Sequence, residues 1–168
     1  WAAILHDLGK IGTPGTILNK NGRLSDDEFS AIQEHPVKGA EILKPIPQLA
    51  DALPIIRHHH EHYNGKGYPD GLAGEDIPLL ARVISVVDTY DAITSDRAYR
   101  AAQPHDKAMA IIADVAGTQL DPGVVSAFQE MVAQYAGEKA GTSAATLIKM
   151  LAEDRRNDAE DIAHGNQQ

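Results

Sequence analysis

The sequence contains no cysteine, and this absence excludes several kinds of chemistry. Disulfide bonds, thiolate zinc sites and cysteine nucleophiles cannot occur in this chain. Any metal site must therefore be built from imidazole and carboxylate ligands, which suit iron, manganese, zinc or nickel. The chain has 8 histidines and 24 acidic residues from which such a site could be formed.

Long hydrophobic runs and positive charge are also scarce. No run approaches the roughly 18 apolar residues that a membrane-spanning helix needs. Residues Trp1 to Leu5 lack the basic start of a signal peptide, and there is no initiator methionine, so we expect the sequence to belong to a longer protein. The net charge of -9 disfavours binding to duplex nucleic acid, and an anionic substrate would need local cations.

The pattern of apolar residues and helix signals predicts an all-α fold, a helical bundle packed around histidine-bearing segments. Ser25 and Glu28 form a capping box, and Phe29 is expected to point into the core. The predicted helices end near Gly9, run from Ser25 and from Pro36 through Leu43, lead from Leu49 into the histidines with a kink at Pro54, and cover 78–93, 104–115 and the segment after Pro122. Residues 12–24 and 63–77 are predicted loops.

The C-terminal part has a different composition. We expect residues 1–135 to form the folded domain, with a Gly-rich linker over 136–143. A short amphipathic helix around Leu147 to Leu151 would follow, and the polar tail from about Asn157 is expected to be disordered.

A cluster of histidines at 58–62 is the most unusual feature of the sequence: His58, His59, His60 and His62. Consecutive positions of a helix point in different directions, so at most two of the first three can face one site. We therefore expect one of them to face solvent. Purification tags also contain histidine runs, but they lie at chain termini, whereas this run is internal.

Asp88 is the second strong signal, because it lies in an apolar helical segment that should be buried. A buried carboxylate must be paired, protonated or bound to a metal. A salt bridge to Arg82 or Arg97 is one interpretation, and a metal shared with the histidines is the other. His6, Asp7 and His35 are weak signals individually, but together the four segments favour a metal site.

Such a site has more ligands than one ion needs, which indicates two or three divalent ions. Paired ions about 3.5–4 Å apart clamp a phosphoryl oxygen, and a bridging water becomes a hydroxide nucleophile near neutral pH. Lys10, Arg97 and Arg100 would then supply cations for a phosphate, although each could also be an ordinary surface charge. A phosphate-binding P-loop and a Ser-His-Asp triad do not fit the residue spacing.

The motifs in this order resemble the HD-GYP domain family. They are His6-Asp7-Leu8-Gly9-Lys10, His35-Pro36, His59-His60-Glu61 with Gly67-Tyr68-Pro69, Val87 to Ala92, and Ser95 to Arg100. The resemblance covers about residues 1–135. The family usually has Asp in place of Asn64 and Pro in place of Ala98. It also normally begins with two further helices that carry an additional histidine, so the resemblance implies that this sequence lacks them.

The resemblance implies a bacterial, cytoplasmic phosphodiesterase that hydrolyses cyclic di-GMP to pGpG or GMP with two or three iron or manganese ions. The implied metal ligands are His6, Asp7, His35, His59, His60 and Asp88, with Asp7 bridging two ions. Lys10 is implied to act at the scissile phosphate, and Arg97 and Arg100 to bind phosphate.

The family resemblance also implies partners. The Gly67-Tyr68-Pro69 loop is similar to one that contacts diguanylate cyclase domains, and the parent protein would carry a sensor or receiver domain and could form a homodimer. Two alternatives stay open: a catalytically weak module that binds cyclic dinucleotides or cyclases, and an HD-type hydrolase of another phosphate ester.

Overall fold

The computed structural model describes residues 1–20, 22–96 and 101–136. Extended pairing within these ranges is limited to single bridges, Asn64 with Ala73 and Ala116 with Leu120, which confirms the all-α prediction. The α-helices are α1 Ala2–Leu5, α2 Gly15–Leu18, α3 Asp26–Gln33, α4 His35–Leu43, α5 Leu53–His58, α6 Leu79–Thr94, α7 His105–Asp114 and α8 Pro122–Ala136. Short 3₁₀ segments cover Leu8–Gly12, Pro47–Ala52 and Gly74–Asp76. Helix α2 and the last of these segments lie in stretches predicted to be loops.

The start of α3 is built as the sequence predicts. Ser25 Oγ accepts a hydrogen bond from the backbone N–H of Glu28 at 3.3 Å, and Glu28 Oε2 accepts one from the N–H of Ser25 at 2.7 Å. The predicted inward position of Phe29 is wrong, because 49% of its surface is exposed. Helix α3 packs against α4 but has no fully buried residue, so it lies at the surface of the fold.

Pro54 begins a helix instead of kinking one, which corrects the prediction. Helix α5 starts at Leu53, so Pro54 occupies the first turn, where its missing N–H leaves no bond unmade. Because α5 ends at His58, the next two histidines lie beyond the helix and are not spaced around it. This early end determines which imidazoles can face one site.

Gly9 brings the N-terminal segment into contact with α4. The predicted single helix over 1–9 is wrong, because α1 ends at Leu5 and Gly9 is buried inside a 3₁₀ segment. A Cβ atom on Gly9 would lie 1.9 Å from the carbonyl oxygen of His35 and 2.6 Å from the nitrogen of Gly39. Only glycine permits this approach. It brings Asp7, two residues earlier in the chain, beside His35.

Apolar packing holds these segments in place. One buried cluster joins α4 to α5, and partly buried side chains pack against it. The buried residues are Leu43, Ala52 and Ile56, and those packed against them are Ala2, Leu5, Leu8, Leu49 and Leu53. Helix α6 contributes Ala81 and Val86, both fully buried. Tyr90 stacks edge-on against Phe128 at 5.4 Å between ring centroids and hydrogen-bonds His105 Nδ1 at 2.8 Å. Burial of each large apolar side chain contributes about 1.5–3 kcal/mol, so packing fixes the relative positions of the helices.

Asp121 links the beginnings of α6 and α8. Its side chain is 8% exposed, pairs with the Arg82 guanidinium, and accepts hydrogen bonds from the N–H groups of Gly123 and Val124 at 2.7 and 3.2 Å. Burial raises the pKa of Asp121, but Arg82 and the two N–H groups lower it by a larger amount, so the net shift is downward. The Arg82 guanidinium is therefore already paired with Asp121.

The compact unit described above comprises Trp1–Gln129; of the second unit, Glu130–Gln168, the structure describes only residues 130–136. The predicted linker beyond Ala136, the short helix and the polar tail lie outside the described residues, as do Arg97, Ala98 and Arg100. Across the described ranges, every helix is too short or too polar to traverse a lipid bilayer.

Replacing Gly9 with alanine should destabilise the fold. The added Cβ would overlap the backbone of α4, and overpacking of this kind costs about 3 kcal/mol or more when backbone must move. Thermal unfolding of Gly9→Ala should show a large fall in Tm. The matched control is Gly15→Ala, whose Cβ would meet only Asn19 Nδ2 at 3.9 Å and should leave Tm unchanged or higher. Equal Tm values for the two variants would contradict the close-approach account.

Asp121→Asn should lower the free energy of unfolding by about 2 kcal/mol near pH 6, because asparagine can still cap α8 but cannot pair with Arg82. The pKa of Asp121 is lowered in the folded state, so its charge stabilises the fold above the unfolded value of 3.8 and loses that effect as pH falls through the folded value. Urea unfolding at pH 6 and pH 3 should therefore show the difference between wild type and Asp121→Asn shrinking with acidification. A difference that stays constant would show that the charge is not responsible.

Candidate metal centre

The ligands predicted from the sequence come from four segments and meet in one place. The segment after α1, the first position of α4, the segment after α5 and the middle of α6 supply His6, Asp7, His35, His59, His60 and Asp88. The close approach at Gly9 and the early end of α5 are the two local features that aim these side chains toward one another.

The inner set consists of Asp7, His35, His59 and His60. Each offers one ligand atom, and these four atoms all lie within 4.8 Å of one another. Asp7 Oδ1 is 3.3 Å from His35 Nε2, which is itself 3.3 Å from His59 Nε2. This spacing is compact enough for the four side chains to share an ion.

His6 and Asp88 extend the set on one side. His6 Nε2 lies 3.7 Å from Asp7 Oδ2 and 3.8 Å from Asp88 Oδ1, both too long for direct hydrogen bonds. Helix α6 is buried along one side as predicted, but Asp88 is only partly buried, with 32% of its side chain exposed. A salt bridge from Asp88 to Arg82 is also excluded, since Arg82 pairs with Asp121. Asp88 instead faces the histidines.

Three of the histidines are oriented in the same way. The Nδ1 atom of each lies within hydrogen-bonding distance of the carbonyl oxygen three residues earlier: His6 with Ala3 at 2.8 Å, His35 with Ile32 at 2.7 Å, and His59 with Ile56 at 2.6 Å. These carbonyls belong to the last turns of α1, α3 and α5, where helical acceptors lack their usual partners. A neutral ring that donates from Nδ1 carries a bare lone pair on Nε2, and this atom faces the site.

Several of these atoms are left without satisfactory partners by the protein alone. The Nε2 atoms of His35 and His59 face each other as two acceptors, and His6 Nε2 and Asp7 Oδ1 are buried without a hydrogen bond. Each unsatisfied buried group costs about 1–3 kcal/mol. A divalent cation would satisfy all of them, and the mixed imidazole and carboxylate donors suit a transition metal. The residues therefore fit a metal centre.

The protonation states of four of these side chains, two histidines and two aspartates, also suit metal binding. Burial lowers the pKa of His59 to about 4 and that of His60 to about 3, so both rings are neutral at pH 7. Burial raises the pKa of Asp7, but His35 and Lys10 lower it by more, and the carboxylate is ionised. Burial also raises the pKa of Asp88, but His6 lowers that pKa by more. Metal ligands must be in these deprotonated forms.

Lys10 lies at the edge of the set. Its Nζ atom donates a 2.6 Å hydrogen bond to Asp7 Oδ2, and its side chain is 35% exposed. The lysine thus places a positive charge beside the ligand cluster while remaining accessible from solvent. Arg97 and Arg100, the other predicted cations, lie outside the described residues.

The Gly67-Tyr68-Pro69 loop forms a wall of the site, which the sequence reasoning missed. A Cβ on Gly67 would lie 2.1 Å from the nitrogen of His62, so the loop folds directly onto the histidine segment. The Tyr68 ring stacks on His60 with centroids 4.9 Å apart and planes inclined by 26°. Burial, reinforced by Asp7 and Asp88, raises the pKa of Tyr68 and keeps its hydroxyl protonated.

A second polar cluster holds this loop in place. Glu61 is buried, and its Oε1 accepts a 2.8 Å hydrogen bond from the N–H of Asp70. Arg57 Nε and Nη2 donate to the two oxygens of Asp70, each at 2.8 Å. His58 lies 3.4 Å from Glu61 and its side chain is only 13% exposed, so the prediction of a solvent-facing histidine is wrong. The position of Glu61 directly after two histidines was the available sequence signal.

A cavity of about 250 Å³ opens beside the ligand cluster. Its walls come from the histidine segment, from α6 and from the turn before α8: His60, His62, Ser85, Asp88, Thr89, Ala92, Ile93 and Gln119. His60 and Asp88 belong to both the cavity and the ligand cluster, so a molecule bound in the cavity would lie next to the metal centre.

Comparison with known proteins gives the family. A model of the HD domain matches residues 1–124. A cyclic di-GMP phosphodiesterase of Vibrio cholerae is 46% identical over 134 residues, which are 76% of this chain and 27% of that protein. A cyclic di-GMP phosphodiesterase of Pseudomonas aeruginosa is 45% identical over 135 residues, 80% of this chain and 32% of that protein. A 3'3'-cGAMP-specific phosphodiesterase of Vibrio cholerae is 39% identical over 129 residues, 77% of this chain and 28% of that protein.

The chain thus spans about a third or less of the length of these relatives. Among solved structures, the fold matches a crystal structure of a cyclic GMP-AMP-specific phosphodiesterase of Vibrio cholerae with a TM-score of 0.58 and 20% identity, covering 83% of this chain and 39% of that one. The family match over most of the chain, together with the Gly67-Tyr68-Pro69 loop beside the paired histidines, shows that this chain belongs to the HD domain family as an HD-GYP domain.

Proposed function

We propose that this chain is the catalytic domain of a metal-dependent phosphodiesterase that hydrolyses cyclic di-GMP to pGpG or GMP. The observation that carries the proposal is the convergence of imidazoles and carboxylates from four segments, with Nε2 lone pairs facing one another. The names of relatives 46% and 45% identical to this chain support the choice of substrate.

The metal would be held by His6, Asp7, His35, His59, His60 and Asp88, with Asp7 as the bridging ligand. Two or three iron or manganese ions bound there would supply Lewis acidity toward the phosphodiester and a water of lowered pKa. His59 and His60 are uncharged at neutral pH, so they can act as ligands without first losing a proton. The ionised Asp7 and Asp88 offset part of the charge of the ions.

Lys10 is the proposed general acid. In hydrolysis, water adds to phosphorus, the bond from phosphorus to the 3′ oxygen breaks, and that oxygen leaves with a proton. Lys10 carries an ammonium at the edge of the ligand cluster, held by Asp7 at 2.6 Å, from where it could donate to the phosphate or to the leaving oxygen. Arg97 and Arg100 are proposed to bind phosphate on the basis of the sequence.

The same proposal covers partners. The Gly67-Tyr68-Pro69 loop would contact diguanylate cyclase domains. The parent protein would be a cytoplasmic signalling protein with a sensor or receiver domain, and it would be able to form a homodimer. Because Tyr68 stacks on His60, a partner that moved this loop would alter the wall of the metal centre. In the alternative function, a catalytically weak binding module, the domain would contact its partner in this way without hydrolysing a substrate.

A second candidate substrate is 3′3′-cGAMP, favoured by a relative of that specificity that is 39% identical to this chain. It differs from cyclic di-GMP in one base, so the metal centre would treat both phosphodiesters alike.

Anaerobically purified protein, loaded with iron or manganese, tests the function. Metal content is measured on the sample used for assay, and products from cyclic di-GMP, 3′3′-cGAMP and a nucleoside monophosphate are separated by chromatography. We expect hydrolysis of cyclic di-GMP that chelator abolishes and metal restores. Absence of hydrolysis at full metal occupancy would exclude the catalytic proposal, and hydrolysis of the monophosphate alone would favour another HD-type hydrolase.

Substitution of Asp88 should affect both metal binding and activity, whereas substitution of Lys10 should affect activity alone. Asp88→Ala should lose metal and activity together, because it removes a ligand that faces His6. Lys10→Ala should retain metal and lower kcat by about 10²-fold or more, the usual contribution of a general acid. Elemental analysis and kcat, measured on the same preparations, distinguish them.

Matched controls are Asp51→Ala and Lys20→Ala. Asp51 is exposed, and Lys20 pairs with Glu28 away from the cluster, so both variants should keep metal and rate. Full metal occupancy in Asp88→Ala would remove Asp88 from the ligand set.

A further inference from the structure

The cavity beside the metal centre is too small for a whole cyclic dinucleotide. Its volume is about 250 Å³, below the roughly 300–1,000 Å³ of pockets that enclose a drug-sized ligand. It is continuous with the ligand cluster through His60 and Asp88. When a phosphodiester of the substrate lies at the metal centre, the cavity can hold only the part next to it.

The lining disfavours a second phosphate. The lining contains the carboxylate of Asp88, which would repel an anion. No lysine or arginine of the described ranges lines the cavity. Ala92 and Ile93 make one wall apolar. An uncharged, flat group with a polar edge, such as a nucleobase, fits this combination better than an anion does.

Few polar groups of the lining are available to such a base. Ser85 Oγ donates to the carbonyl of His59 at 2.7 Å, and Thr89 Oγ1 donates to the carbonyl of Ser85 at 2.7 Å, so both hydroxyl protons are committed. Gln119, by contrast, has a half-buried side chain that forms no hydrogen bond within the part of the chain described. Its amide is therefore free to bind a ligand.

The backbone fixes Gln119 opposite the histidines. Its carbonyl accepts a hydrogen bond from the N–H of Tyr63 at 3.0 Å, and the carbonyl of Thr118 accepts one from Asn64 at 2.9 Å. The turn that brings these residues there uses a left-handed glycine, Gly117 at φ 78°. Gln119 is thus anchored to the segment that directly follows the metal-binding histidines.

We propose that this cavity binds one purine base of the cyclic dinucleotide and that Gln119 reads the hydrogen-bonding edge of that base. The inference rests on the proposed phosphodiesterase function. A glutamine amide offers one acceptor and one donor group side by side. In one orientation it matches N1–H and O6 of guanine, and after a flip of the amide it matches N1 and N6 of adenine. The wild-type cavity consequently accepts either purine.

Two substitutions test this reading. Gln119→Glu can only accept hydrogen bonds, so it pairs with N1–H and N2–H of guanine but opposes the N1 lone pair of adenine. It should raise the ratio of kcat/KM for cyclic di-GMP over cyclic di-AMP at least tenfold, because cyclic di-AMP has no guanine to place in the cavity. Gln119→Leu should raise KM about tenfold for both cyclic dinucleotides.

The control is Gln48→Leu, which replaces an exposed glutamine outside the cavity and should match wild type in every assay. Metal content and Tm of each variant confirm that the centre and the fold are intact. An unchanged KM in Gln119→Leu, or an unchanged substrate ratio in Gln119→Glu, would overturn the base-reading role.

Failure of the proposed function gives a different result. The metal-loaded wild type would then cleave neither cyclic dinucleotide, and calorimetry with cyclic di-GMP would still decide the inference. About tenfold weaker binding to Gln119→Leu than to wild type would support base recognition in a non-catalytic domain. Equal binding to the two proteins, or no binding to wild type, would overturn it.

Discussion

The structure depends on unprotonated imidazole nitrogens that are held facing one another. His35 and His59 present Nε2 atoms 3.3 Å apart, an arrangement that repels unless a cation lies between or beside them. The backbone maintains this arrangement, because carbonyls at the ends of α3 and α5 accept the Nδ1 protons. The same bonds serve two purposes: they satisfy acceptors that a helix end leaves free, and they fix which nitrogen can bind metal. Helix termination and ligand orientation are therefore one feature of the fold.

Much of the fold and the composition of the site could be predicted because the signals are local. The capping box at Ser25 joins residues only three positions apart, and the length of α6 follows from its own apolar pattern. The absence of cysteine left histidine and aspartate as the ligands to consider. The end of α5 could not be placed to within one residue, yet that boundary decides that His58 turns toward Glu61 while His59 turns inward.

The features that could not be predicted depend on contacts between distant segments. Gly9 has the appearance of a helix C-terminus in the sequence, and its function becomes clear only when the backbone of α4 lies 1.9 Å from where a Cβ would be. Gln119 carries no motif at all. It reaches the site because backbone hydrogen bonds join residues 118–119 to 63–64. Single-sequence patterns report local preference, whereas tertiary pairing of loops leaves no periodic trace.

His60 connects the chemistry to its surroundings. It belongs to the cluster of four side chains that could hold a metal, it stacks against Tyr68, and it lines the cavity together with Gln119. A displacement of this ring by the loop on one side, or by a base on the other, would change the geometry of the ligand set directly. Because packed elements have few alternative arrangements, such a shift would act in discrete steps and not gradually. The loop follows the paired histidines within a few residues of sequence, and this short connection allows one side chain to contact the ligand cluster, the cavity and the Gly67-Tyr68-Pro69 loop.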